Sequence, residues 1–509
     1  MKTCTRFGPC MFAAVPGAIV LIVVALLAVP AFAGSVPNPT VSGPIPAPDI
    51  PGTPTHNYTF FSSNHDLATH GYVEEEYFFS GTANRYTTSS PPSGQPCPTC
   101  TATVLSAGNP YTTRMVVRRP ANPRDFNGTV LVEWINVTNG FDAENQWFFS
   151  WEHILRAGYI WVGVSAQRVG VNALKTWSPS RYGSLDVTAG GTINDDSLCY
   201  DIFSQAGQAI LNPTSVDPLN GMRPRVILAM GESQSAFRLA AYANSIQPLA
   251  NLYEGISLLS SLGNPIRTDL HVPVWKVLTE FDVASSEALV RQPNTNLFRS
   301  WEVAGTSHVD QHLRASREPL ELRDNLTSTE ATLAPTCGSP NIGTRVPTTY
   351  VLSSVYDLFV RWVKYGVPPP TAPYIEIATL GSPGVFSVPA RNSLGLALGG
   401  IQLAQVAVPT AVNDGIDTGP GACVRWGYYT PFAVTELDSL YSNHDDYVDQ
   451  VTRVAHGNVW QGYILEPDAQ ATIRCATYSN VGSSRHDHEE RHGHDGDHSQ
   501  EDLYCKPYF

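Results

Sequence analysis

Arg225-Val226-Ile227-Leu228-Ala229-Met230-Gly231-Glu232-Ser233-Gln234-Ser235-Ala236 is the stretch on which the reading of this chain turns. Val226 to Met230 is the unbroken apolar run of a parallel strand buried on both faces. It passes directly into Gly-x-Ser-x-small, after which Phe237, Leu239, Ala240, Tyr242 and Ala243 continue at helical spacing. A serine at such a strand-turn-helix junction sits on a sharp, strained turn with its hydroxyl exposed, the nucleophile elbow. Strand and helix approach closely there, so the flanking positions must be small. Gly231 meets this fully, and Ser235, standing where glycine is commoner, acceptably. The helix dipole would favour negative charge beside Ser233. The plain alternative is an ordinary turn with Ser233 as a helix N-cap.

Working outward, short β-branched runs alternate with helical segments, the pattern of βαβ units and a mostly parallel sheet. Strands are predicted over 111–119, 129–135, 159–165, 225–230, 255–259, 272–278 and 298–304. In 350–365, Val351, Val355, Leu358, Phe359 and Trp362 recur at spacings of three and four, which predicts a helix stopped by Gly366 and Pro368-Pro369-Pro370. Residues 371–480 are rich in Gly and Pro without βα rhythm. They are expected to pack on the core as an integral C-terminal region, with a part in forming a lid.

The order of partners favours the elbow over the N-cap. A general base is expected after the last strand, where Trp301-Glu302-Val303-Ala304-Gly305-Thr306-Ser307-His308 places His308 at the exit, with His312 a rival one helical turn on. The orienting acid should follow 272–278, where Glu280 and Asp282 both stand. Only one can hold the imidazole. Asp282 leads on loop depth, and Glu280 is the alternative. The oxyanion hole is expected from the backbone N–H of Gln234 and a donor in Asn136-Val137-Thr138-Asn139-Gly140. Against this, Asn136 opens an N-x-Thr sequon and would be unavailable if glycosylated.

The N-terminus has Lys2 and Arg6, an apolar run from Ala18 to Val29 and a closing Ala31-Phe32-Ala33, which reads as a signal peptide (1–33) and predicts secretion with no stable membrane anchor. Residues 34–56 read as a Pro-rich linker, 57–370 as the catalytic core and 481–509 as a His-rich disordered tail. Net charge is −14, more negative once Lys2 and Arg6 leave, which argues against a nucleic-acid partner. Seven cysteines remain, Cys97, Cys100, Cys199, Cys337, Cys423, Cys475 and Cys505, so disulfides are expected and an odd thiol must stay free or pair between chains. Cys97 and Cys100 are expected to form a local disulfide. Asn57, Asn127, Asn136 and Asn325 begin sequons, so surface glycans are expected in a eukaryotic host. No metal site is expected: His486, His488, His492, His494 and His498 fall in the tail without fixed geometry.

Val132-Glu133-Trp134-Ile135-Asn136-Val137-Thr138, Gly158-Tyr159, Ser165-Ala166-Gln167, Gly231 to Ala236, Trp301 to His308 and Gly399-Gly400-Ile401-Gln402 together resemble a family of large, mostly exported α/β-hydrolase-domain proteins of the serine-esterase kind. The resemblance spans about 55 to 480, so it includes the C-terminal region. It implies an α/β-hydrolase fold, Ser233 as nucleophile and His308 as base, leaves the acid between Asp282 and Glu280, and supplies no substrate. The expectation is a cofactor-free hydrolase of a small or polymeric carboxylic ester. An amidase, peptidase or lactonase on the same triad is the alternative, and a catalytically silent ligand-binding protein the rival of another class.

Overall fold

The computed structural model describes residues 36–87, 100–327, 332 and 334–482. The expected signal peptide, Cys97, Cys505 and the His-rich tract lie outside them. Nine strands form one sheet: β1 Thr40–Ser42, β2 Tyr72–Tyr86, β3 Val104–Pro120, β4 Thr129–Trp134, β5 Ile160–Val164, β6 Val226–Glu232, β7 Gly255–Leu259, β8 Val274–Thr279 and β9 Phe298–Val303. Their order is β1-β2-β3-β5-β4-β6-β7-β8-β9. From β5 to β9 every pairing is parallel, while β1, β2, β3 and β5 pair antiparallel. All residues of β4 to β9 are buried, because helices cover both faces and leave nowhere for a polar side to point.

Each of the seven predicted strands is present. Most shift by a residue or two at an end; β3 begins well before the predicted 111. The helix predicted at 350–365 starts slightly earlier, as Thr348–Tyr365, and ends on Gly366 in the left-handed region, which lacks the steric penalty a Cβ would bring.

The reading of 34–56 as a linker needs correction. Thr40–Ser42 pairs with β2 as the edge of the sheet, and Val41 is buried in the main core. β2 itself was not predicted, because its Glu74-Glu75-Glu76 breaks the apolar pattern. Those carboxylates meet arginines of β3: Arg118 Nε lies 2.7 Å from Glu74, Arg119 Nη2 2.8 Å from Glu75 and Arg114 Nη1 2.8 Å from Glu76. Arg118 also binds Glu144 at 2.6 Å and lies over the rings of both Trp147 and Trp161, 4.4 and 4.5 Å from their centroids. Charges can be buried here because each is paired with an opposite charge at hydrogen-bond distance.

The chain beyond Pro370 joins the same core, with Ile375, Ala397, Ile401 and Leu403 buried in it. Ile401 bridges to Val303 in parallel, Ile401 N–H donating to Glu302 O at 2.7 Å and Ala304 N–H to Ile401 O at 3.0 Å. The last strand's edge is thereby covered. Helices His444–Trp460 and Glu466–Tyr478 build a smaller apolar cluster around Tyr441, Tyr447, Val451 and Ala476. Cys337 and Cys423 form a disulfide, Cys100 and Cys475 each take part in a disulfide, and the free thiol among the described residues is the buried Cys199.

Candidate active site

Five strands deliver their C-terminal ends to one place, where ligands bind in open α/β sheets. At the end of β6, Ser233 has φ 55° and ψ −119°, the strained conformation expected of an elbow. Its N–H donates to Leu259 O of β7 at 3.0 Å, and the helix Gln234–Ser245 starts immediately after it. A Cβ on Gly231 would meet the backbone of Ser235 at 3.0 Å, which is why that position is glycine. Ser235 braces the turn: its hydroxyl donates to Glu232 O and accepts from Glu232 N–H, both at 2.9 Å.

Ser233, His308 and Asp282 come together just past the ends of β6, β9 and β8. Ser233 Oγ is 2.7 Å from His308 Nε2, and His308 Nδ1 is 2.7 Å from Asp282 Oδ1. Asp282 Oδ2 accepts from Thr279 N–H at 2.8 Å and Thr279 Oγ1 at 2.7 Å, in a capping box of the short helix Glu280–Ser285. The aspartate is fixed by the same hydrogen bonds that start its helix. His308 stands in the loop after β9, anchored by Val309 N–H donating to Arg425 O at 3.0 Å and by Ser307 Oγ against Thr344 Oγ1 at 3.0 Å. Burial penalises the charged imidazole, yet the Asp282 and Glu232 carboxylates outweigh it and hold the His308 pKa above the ordinary histidine value.

The two rivals are placed elsewhere. Glu280 points away from His308: Oε1 accepts from Arg391 Nη2 at 2.6 Å and Oε2 from Gly305 N–H at 2.8 Å. It steadies the His308 loop from behind, and burial pushes its carboxyl up to about 7 against the pull of Arg391. His312 lies 3.6 Å from Glu152, at the start of the helix Gln311–Arg323.

Of the three residues expected around the oxyanion, Val137 and Gln234 lie against each other beside Ser233, while the polar groups of Asn136 are already in use. Asn136 N–H donates to Ala143 O at 3.1 Å, and its side-chain amide is used by Glu232, at 2.9 Å to the carbonyl and 3.0 Å to Oε2. It is 2% exposed, so its sequon cannot carry a glycan in the folded protein. Thr138 N–H is taken by Asn136 Oδ1. Val137 N–H donates to the Gln234 side chain, 3.3 Å to Oε1. That side chain pairs with Gln167, Nε2 to Oε1 at 2.6 Å. The Gln234 backbone N–H is in the first helical turn, whose donors have no acceptor within the helix.

Two neighbours of the site were not legible in the sequence. Glu232, the variable residue of Gly-x-Ser, is buried with Oε1 3.6 Å from His308 Nε2. Phe281 sets its ring edge-on to His308, centroids 5.3 Å apart, and Phe386 of the C-terminal region stands edge-on to Phe281 at 5.7 Å. Glu232 fills the motif position on which no residue type is required and Phe281 belongs to no motif, so only the fold could reveal their part in the site. Among the described residues no group of three His, Cys, Asp or Glu could hold a metal ion.

Solved structures similar to this chain include several distant likenesses. The rice cell wall degrading esterase LipA from Xanthomonas oryzae is 13% identical, with 37% of this chain and 43% of that one covered and a TM-score of 0.21; the chain thus spans less than half of that protein. The esterase Est22 is 12% identical over 54% of this chain and 83% of that one, TM-score 0.30. Dienelactone hydrolase from Anabaena variabilis is 11% identical over 48% and 96%, TM-score 0.25. No curated protein sequence matches. A family model described as the alpha/beta hydrolase domain, in contrast, matches residues 41–474, from the edge strand to the last helix. Sheet order, elbow and C-terminal layer all fall inside that span, and this chain belongs to the α/β-hydrolase domain family.

Proposed function

We propose that this protein is a serine hydrolase that cleaves a carboxylic ester through an acyl-enzyme. The observation that carries the reading is the hydrogen-bond line Ser233 Oγ, His308 Nε2, His308 Nδ1, Asp282 Oδ1, with 2.7 Å at both links. In this reading Ser233 Oγ attacks the acyl carbon as His308 Nε2 takes its proton, and Asp282 keeps the imidazole in the tautomer with Nδ1 protonated. The oxyanion forms at the start of the helix Gln234–Ser245, facing the Gln234 and Val137 N–H groups. His308 then gives the proton to the leaving alcohol, and water releases the acid.

Secretion belongs to the same proposal. It is supported by the signal-like residues 1–33 and by the Cys337–Cys423 disulfide, a bond that persists in oxidising compartments. Among the described residues no helix is long and apolar enough to cross a membrane.

The test is labelling of the full-length protein with a fluorophosphonate, with peptide mapping, alongside rates on matched p-nitrophenyl esters and anilides. Attachment at Ser233 that is lost in His308→Ala, with esters turned over faster than anilides, is expected. A folded protein that stays unlabelled would overturn the reading in favour of a silent binder, and anilides cleaved as fast as esters would make it an amidase.

A further inference from the structure

Glu232 brings a second buried carboxylate to the imidazole. Its Oε2 takes Asn145 Nδ2 at 2.7 Å and Asn136 Nδ2 at 3.0 Å. Asn136 is itself tied to the Glu232 carbonyl at 2.9 Å, and Asn145 opens the helix Asn145–Ala157. Two amides are spent on one carboxylate oxygen, and this fixes the other. Oε1 faces His308 Nε2 at 3.6 Å, the nitrogen that also meets Ser233 Oγ. Asp282, by contrast, approaches from the far side of the ring, at Nδ1. A buried carboxylate costs several kcal/mol unless fully paired, and no Lys or Arg makes an ion pair with Glu232 among the described residues. Burial accordingly raises its pKa, against the pull of His308 and Asn145.

Acylation makes no demand on Glu232, since Ser233 already donates to Nε2. Deacylation does. Once Ser233 Oγ is esterified it has no proton to offer, and Nε2 needs a new donor that is also the nucleophile. A water molecule that gives one proton to Nε2 and the other to a carboxylate oxygen beside it is held at two points, with a lone pair free to turn to the acyl carbon.

We propose that Glu232 Oε1 and His308 Nε2 together hold the water that hydrolyses the acyl-enzyme. The inference rests on the acyl-enzyme reading of Ser233. The water oxygen bonds to the acyl carbon as one of its protons moves to Nε2. The bond from carbon to Ser233 Oγ then breaks, Nε2 returns that proton to Oγ, and the carboxylic acid departs. Glu232 accepts a hydrogen bond from the water and takes no proton from it.

The two half-reactions separate this role from a structural one. In the full-length protein, Glu232→Gln replaces the accepting oxygen with an amide, and Asn145→Ala frees Oε2 while keeping the carboxylate. Fluorophosphonate labelling and the first-turnover release of p-nitrophenolate from an activated ester report acylation, and the steady rate reports deacylation. Glu232→Gln is expected to label at close to the wild-type rate and to show a burst of one p-nitrophenolate per protein. Its steady rate should be about a hundredfold lower, what misplacing a reacting group by about 1 Å costs. Asn145→Ala is expected to move the same way by less, and it carries the test if Glu232→Gln does not fold. Labelling and steady rate falling by one common factor, or neither falling, would overturn the proposal. A wild-type protein that is not labelled at Ser233 would instead refute the serine-hydrolase reading itself.

Discussion

Arg391 Nη2 lies 2.6 Å from Glu280 Oε1, which commits that carboxylate to the C-terminal layer and leaves His308 to Asp282. The two acids should therefore fail in different ways. Asp282→Asn keeps the shape but lets the imidazole adopt the wrong tautomer, and kcat is expected to fall about ten-thousandfold with little change in urea midpoint. Glu280→Gln should keep kcat near wild type while lowering stability by roughly 2–3 kcal/mol. That is less than breaking a fully buried pair costs, since Arg391 retains Asp414 at 2.8 Å and is 24% exposed. Kinetics and urea unfolding of both variants check this. A large loss of kcat in Glu280→Gln alone would reverse the assignment.

The pH profile follows from the charges around His308. In the proposed role of general base it works neutral, so activity is expected above its pKa and is lost as pH falls through it. Burial lowers that pKa and Arg425 adds to the lowering, but Asp282 and Glu232 together raise it above 6.5. The acid limb of kcat/KM, which reports the free enzyme, is expected to have its midpoint above that value. Glu232→Gln removes one raising charge and should move the limb to lower pH. Because kcat/KM reports acylation, the shift is readable even if deacylation is slowed. A limb that moves up, or stays, would show that Glu232 is not charged beside His308.

How much of this was legible depends on where the physics is local. β6 and its elbow could be read because burial on both faces writes a continuous apolar run and the turn demands a small residue at Gly231. Ser233, Asp282 and His308 follow from strand order, since each leaves the end of a strand in the parallel part of the sheet. β2 was hidden because Glu74, Glu75 and Glu76 look solvated until Arg118, Arg119 and Arg114 are placed opposite. Glu280 could be told from Asp282 only through Arg391, over a hundred positions away, and Asn136 was misjudged because Glu232 claims its amide. Partners distant in sequence leave no local trace.

The oxyanion donor from the loop after β4 can be tested on its backbone. Val137→Ala keeps the N–H and should leave kcat near wild type. Val137→Pro removes it and is expected to cost a factor of about 10² to 10³ in kcat, the value of one such donor. Circular dichroism and the urea midpoint of Val137→Pro show whether the loop stays folded. Retained turnover in a folded Val137→Pro would leave Gln234 as the only backbone donor and exclude this loop from the oxyanion hole.

The Cys337–Cys423 disulfide closes a loop with a sequence separation of 86, for which the chain-entropy account gives about 4–5 kcal/mol. Its far end leads straight into Arg425, whose carbonyl accepts from Val309 N–H beside His308. Gly427 is there for a packing reason: it has φ 56°, and a Cβ would meet Asp414 O at 2.2 Å and the Ser307 side chain at 2.9 Å. Freedom gained by the chain at Cys423 therefore reaches the His308 loop through Val424 and Arg425. Cys337→Ser with Cys423→Ser is expected to lower the thermal midpoint. It should also lower kcat more than it raises KM, because the change falls on the position of His308 and not on the substrate. Fluorophosphonate labelling of the double variant should slow in step with kcat. Labelling at the wild-type rate in a destabilised but folded protein would show that the disulfide supports the C-terminal layer alone and does not bear on the imidazole.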